Sequence, residues 1–136
     1  MLPNLLIIGV PKAGTTSIFS YLNLHKAVFG STPKEPGYFH PLRWGGKLAD
    51  ISKYEKVFSG YSNQRYAMEA TPGYFYGGKK VASKMKELLP DSKVILVLRD
   101  PVQRLFSFYK YKLSLGHIDS NLAFDNYLEK CKSMPI

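Results

Sequence analysis

The spacing Gly9-x4-Gly14-Thr15-Thr16 is that of a phosphate loop, and it sits inside LLIIGVPKAGTTSIFSYL, residues Leu5–Leu22. Gly14 lets the backbone approach an anion closely. The free amides that open the following helix, aided by its dipole, bind phosphate oxygens. The Ala13 and Gly14 backbone and the Thr15, Thr16 and Ser17 hydroxyls supply the donors. This is not the nucleoside-triphosphate form of the motif, because Thr15 stands where that form places lysine. The lysine lies within the loop instead, at Lys12, from where an ammonium can reach the bridging oxygen of a leaving phosphate. The plainer alternative is a tight strand-to-helix turn with no ligand.

These residues need elements to hold them. Leu5–Gly9 is a continuous apolar run, as in a strand buried on both faces of a parallel sheet. Thr15–Leu24 reads as a helix with Ile18, Phe19 and Leu22 on its apolar side. A short strand is predicted near Ala27–Gly30. Ser31–Gly46, rich in Pro, Gly and aromatics, shows neither helical nor alternating period and reads as a long loop, a kind that usually carries function. Ile51–Phe58 reads as a short helix, Tyr66–Glu69 as a strand and Pro72–Gly73 as a turn. Lys79–Leu89 is an amphipathic helix with Val81, Met85 and Leu88 facing in, ended by Pro90–Asp91. Lys93–Leu98 contains VILVL, the strongest buried-strand signal in the chain. Asp100 then caps a helix with Pro101 in its first turn, running to about Leu115 and stopped by Gly116. Asn121–Lys130 is a final amphipathic helix. Strands alternating with helices predict an α/β fold, P-loop-like and three-layered, with a mainly parallel sheet.

The bulk properties agree. At 136 residues the chain suits one domain with a modest core. Its 19 Lys and Arg against 10 Asp and Glu give a formal charge of +9, suited to an anionic ligand or surface. The single cysteine, Cys131, excludes an intramolecular disulfide and reads as incidental. Leu5–Val10 falls far short of the roughly 20 apolar residues of a membrane-spanning helix. It also lacks the basic lead of a signal peptide, so the chain as given reads as cytoplasmic. A Golgi lumen fits only if a membrane anchor lies outside it.

GVPKAGTTS resembles the loop of sulfotransferases that binds the 5′-phosphosulfate of PAPS, 3′-phosphoadenosine 5′-phosphosulfate. In that family the 3′-phosphate is held by an arginine at a later strand end and a serine eight residues on. VILVLRDPVQRLFSFY matches with Arg99 and Ser107, and a guanidinium fork suits phosphate oxygens. Lys34–His40, reading KEPGYFH, is similar to the KEPHFF-type segment of heparan- and chondroitin-sulfate sulfotransferases, whose glutamate takes the acceptor's proton. Glu35 is the matching position. Gly37 departs from the histidine common there, and neither His40 nor the motif-free His25 and His117 is assigned a role. Met68–Phe75, reading MEATPGYF, is similar to the EKTPAYF or EATP segment lining the cleft of the same branch, with Ala70 where several relatives have lysine.

The resemblance implies in-line transfer of a sulfuryl group from PAPS to a hydroxyl or amine, releasing PAP, 3′-phosphoadenosine 5′-phosphate. Lys12 would stabilise the leaving oxygen and Glu35 act as base; Ala13–Ser17, Arg99 and Ser107 would hold the donor, with no metal required. Saccharide, small alcohol, steroid and peptide acceptors all satisfy these residues, and the Glu35 segment favours a carbohydrate. Domains of this kind run to about twice this length, consistent with ordinary domain sizes. Residues 1–136 are therefore read as the N-terminal, PAPS-binding portion of a single sulfotransferase domain. Two rivals stand beside this reading: a variant P-loop kinase or NTPase, and a non-catalytic PAP- or polyanion-binding remnant. A nucleic-acid module is disfavoured, since the aromatics form no stacking motif such as RNP1.

Overall fold

The computed structural model describes residues 1–132, and the chain divides into two compact units, Met1–Leu98 and the stretch from Arg99 onward. In the first unit, β1 (Leu5–Gly9), β2 (Val28–Gly30), β3 (Tyr66–Ala70) and β4 (Lys93–Leu96) form one parallel sheet in the order β2-β3-β1-β4. The register sets Leu5 opposite both Met68 and Lys93, and Ile7 opposite Ala70.

Because β1 is central, its alternation feeds two cores. Leu5 and Ile7 face one side with Met68, Ala70 and Phe19 of α1 (Thr15–Asn23). Leu6 and Ala67 face the other. There they meet Tyr54 of α3 (Ile51–Lys56), Phe58, and Val81 and Met85 of α4 (Gly78–Leu88). Each fully buried side chain of this size contributes about 1.5–3 kcal/mol. Apolar clusters on both faces are what a strand with no polar face requires, and they produce the expected three-layer α/β arrangement.

Two expectations are corrected. Ser31–Gly46 contains a one-turn helix, α2 (His40–Arg43), which Pro41 favours by fixing φ at an early position. The Pro-Gly turn also extends into a 3₁₀ segment, Pro72–Gly77.

The second unit is a helix pair. Asp100 Oδ1 accepts the Gln103 amide at 2.8 Å and starts α5 (Pro101–Ser114). Gly116, at φ 66°, ends it. Phe106 and Tyr109 of α5 pack edge-to-face or tilted on Phe124 and Tyr127 around α6 (Phe124–Lys132), and the Tyr109 hydroxyl donates to the Leu122 carbonyl. Cys131 is a half-buried free thiol. Of the single domain expected over 1–136, residues 133–136 lie outside the described residues.

Candidate active site

The phosphate loop leaves the carboxyl end of β1, and the Glu35 loop is tied to the carboxyl end of its parallel neighbour β3. In open α/β sheets that edge is where ligands bind. The β1–β4 ladder continues through Val10, whose amide donates to the Val97 carbonyl at 2.9 Å. The Ala13 amide then closes a turn on the Val10 carbonyl at 3.2 Å. Lys12 sits in that turn at φ 67°, a left-handed conformation rare for lysine that costs about 1–3 kcal/mol. Gly14 follows at φ 95° as the N-cap of α1, and its carbonyl accepts from Ile18 at 3.1 Å. A glycine cap brings no side-chain acceptor, so the first-turn amides remain for an outside anion. Thr16 and Ser17 are exposed, whereas Thr15 is only 5% exposed and turns its side chain into the protein. Gly9 is dictated by close approach: a Cβ there would lie 2.7 Å from Phe75 Cβ.

Glu35 is held on both sides by the residues that follow β3. On one side, the Lys34 carbonyl accepts the Ala70 amide at 3.1 Å and the Ser31 hydroxyl at 3.2 Å. On the other, the Gly37 amide donates to Thr71 Oγ1 and the Phe39 amide to the Tyr74 hydroxyl, each at 3.3 Å. The Glu35 side chain is 49% exposed and pairs with Lys34 Nζ at 2.7 Å. Gly37 must be glycine on two counts. Its φ is 66°, and a Cβ would stand 3.0 Å from His40 Nδ1. The histidine of the resembling segments thus finds its space filled by His40. That ring packs edge-on against Tyr74 and Trp44, and burial lowers its pKa below the usual histidine value.

Beneath this loop lies a group that motif reading left unassigned. Glu69 of β3 is fully buried. Its Oε2 accepts the Thr71 hydroxyl at 2.6 Å and its Oε1 accepts the Tyr54 hydroxyl, with the Tyr74 hydroxyl close by. Burial pushes Glu69 up to about 7, against the opposing pull of Thr71, Tyr54 and Tyr74. The same burial and the neighbouring Glu69 raise the Tyr54 and Tyr74 hydroxyls, so both stay protonated donors. A lone carboxylate in an otherwise apolar central strand was the available signal, since such a group must find partners.

This carries a stability prediction. Glu69 binds its proton more tightly folded than unfolded. Its contribution is complete below the ordinary value of 4.5 and is lost as pH rises through about 7. Relative to Glu69→Gln, which cannot ionise, the parent is expected to lose about 2–3 kcal/mol between pH 5 and 8. Urea unfolding of both proteins across that range measures it; a pH-independent difference would contradict the shift.

In the second unit, Arg99 lies beside the Asp100 cap and donates to Gln103 Oε1 at 3.4 Å. Ser107 is half-buried on α5, two turns along.

Residues 2–134 match the sulfotransferase domain family. The chain belongs to that family. It is 36% identical over 115 residues to the membrane-associated sulfotransferase kil1 of Dictyostelium discoideum, covering 82% of this chain and 23% of that protein. It is 32% identical to the human heparan sulfate glucosamine 3-O-sulfotransferase 6, covering 82% and 31%. A crystal structure of a sulfotransferase from Alicyclobacillus acidocaldarius superposes with a TM-score of 0.85 at 27% identity, over 96% of this chain and 57% of that one. The chain therefore spans under a third of those two relatives and somewhat over half of the solved structure. The α/β fold and the resemblance drawn from the loops are those of this sulfotransferase domain. Among the described residues no helix is long and apolar enough to cross a membrane.

Proposed function

We propose that this sulfotransferase domain transfers a sulfuryl group from PAPS to a hydroxyl or amine of a carbohydrate acceptor. The observation that carries the reading is the placement of two loops on adjacent parallel strands. Lys12 and the uncapped start of α1 follow β1, and Glu35 is clamped to the end of β3. The residues suit the donor. Gly14 has open space where a Cβ would be, and the helix start behind it is free of a side-chain cap.

PAPS supplies an activated sulfuryl group whose transfer leaves PAP. The amides and hydroxyls of Ala13–Ser17 hold the 5′-phosphate; Thr15 acts through its backbone, its side chain being buried. Arg99 and Ser107 take the 3′-phosphate. Lys12 neutralises charge on the departing phosphate oxygen, and Glu35 receives the acceptor's proton as the new bond to sulfur forms. The protein's part is chiefly positioning and charge stabilisation.

A carbohydrate acceptor fits the surface next to the Glu35 loop. The Arg43 guanidinium stands 5.2 Å from the Trp44 ring and 5.4 Å from that of Tyr76, and Trp44 is 71% exposed. An open ring face with a cation beside it suits a sugar bearing an anionic substituent. The human relative is named for heparan sulfate glucosamine 3-O-sulfation.

Calorimetric titration with PAP tests the donor half of the reading. Binding is expected in the parent, weaker for ATP, and weaker by about 10–100-fold in Arg99→Ala, the worth of a charged hydrogen-bonded contact. Equal affinity for PAP and ATP, or an unchanged Arg99→Ala, would exclude the assignment.

A further inference from the structure

We propose that Glu69 is a positioning residue for Glu35: its buried carboxylate turns the Thr71 hydroxyl so that its oxygen receives the Gly37 amide of the base loop. The proposal rests on the reading of Glu35 as the base.

A hydroxyl has one proton to give. Thr71 gives its proton to Glu69 Oε2 at 2.6 Å, and so presents lone pairs to the Gly37 N–H at 3.3 Å. Tyr74 stands beside this pair and accepts from Phe39 at 3.3 Å. Once ionised, above the pH of about 7 to which burial raises it, the Glu69 carboxylate only accepts, and so it enforces that direction on Thr71. An amide in its place must turn an N–H toward one hydroxyl. That hydroxyl's oxygen is then shared between two donors, and its own proton is left without an acceptor.

The arrangement is enclosed. Thr71 and Glu69 are fully buried, and Tyr74 is 4% exposed. Tyr54 donates to Oε1 from α3, and its ring stacks on Tyr38 of the base loop at 4.4 Å between centroids. The ionisable groups around Glu69 are Tyr54 from α3, Tyr74 from the 3₁₀ segment and Glu35 from the loop. Its hydrogen-bond partners, Thr71 and Tyr54, are both hydroxyls, so their orientation is tied to its charge. The result reaches Glu35 from one side through Gly37, while the Ala70 amide fixes Lys34 on the other.

Amide hydrogen exchange by NMR at about pH 8, where Glu69 is ionised, reads the Gly37 bond, with the Ile7 amide of β1 as the internal reference. Relative to Ile7, Glu69→Met, which offers Thr71 no acceptor, is expected to raise exchange at Gly37 by about tenfold, the scale of one lost hydrogen bond. Thr71→Val does the same, and Thr71→Ser, which keeps the hydroxyl, holds Gly37 near the parent rate. In sulfuryl transfer, Glu69→Met lowers kcat with PAP affinity unchanged. The proposal is overturned if Gly37 exchanges in Glu69→Met as in the parent, or if it accelerates while kcat stays the same. Failure of the base reading looks different: Glu35→Gln would retain turnover while the exchange pattern of the Glu69 and Thr71 variants persisted.

Discussion

Replacing Glu35 by glutamine is expected to lower kcat for sulfuryl transfer by about 10²–10⁴-fold, the usual worth of a general base, while PAP binds as before. The reasoning is chemical. A neutral hydroxyl is a poor nucleophile toward sulfur unless its proton has somewhere to go, and glutamine keeps the shape of the side chain while removing that destination. The structure sharpens the comparison because Glu35 makes few contacts of its own. Its ion pair joins a half-exposed carboxylate to the buried Lys34 ammonium, so glutamine also leaves that ammonium without its counter-charge, at some cost to stability. The loop is held by backbone bonds to Ala70, Thr71 and Tyr74 that glutamine leaves intact. A large fall in kcat in a protein that stays folded and still binds PAP is therefore the signature. Retained turnover in Glu35→Gln would remove Glu35 from the chemistry.

Lys12→Ala is expected to cost about 10²–10³-fold in kcat, the scale found for removing one preorganised charge-stabilising donor. Lys12 occupies a left-handed turn between the Val10 carbonyl and the N-cap of α1. A long cationic residue is a poor conformational choice there, since glycine would relieve the strain. That makes Lys12→Gly the informative partner variant. It should raise the thermal midpoint or leave it unchanged and still lose transfer, whereas Lys12→Arg should keep part of the rate through its charge. Full activity in Lys12→Gly would show that the turn, rather than the ammonium, is what matters.

Much of the candidate site was legible because it rests on local rules. A glycine at a helix start, Asp100 before Pro101, an apolar run before a loop and a lysine inside that loop each act over a few residues. Spacing alone reports them. Arg99, ahead of the Asp100 cap, and Ser107, on α5, were singled out by the family resemblance. The Glu35 segment was legible as a motif but not as a geometry. That its flanks are tied to Ala70, Thr71 and Tyr74, more than 30 residues on, follows from the parallel pairing beyond β2 and β3.

By itself, then, the sequence determined the phosphate loop, the helix caps and the strands' apolar character, since capping, backbone freedom and side-chain period are properties of neighbouring residues. Tertiary structure alone decided two things. It filled the space beside Gly37 with the His40 ring, and it buried Glu69 among the hydroxyls of Tyr54, Thr71 and Tyr74. Each depends on which distant groups share a volume from which water is excluded. Burial and partnership of that kind change what a carboxylate does, and only the packed chain specifies them.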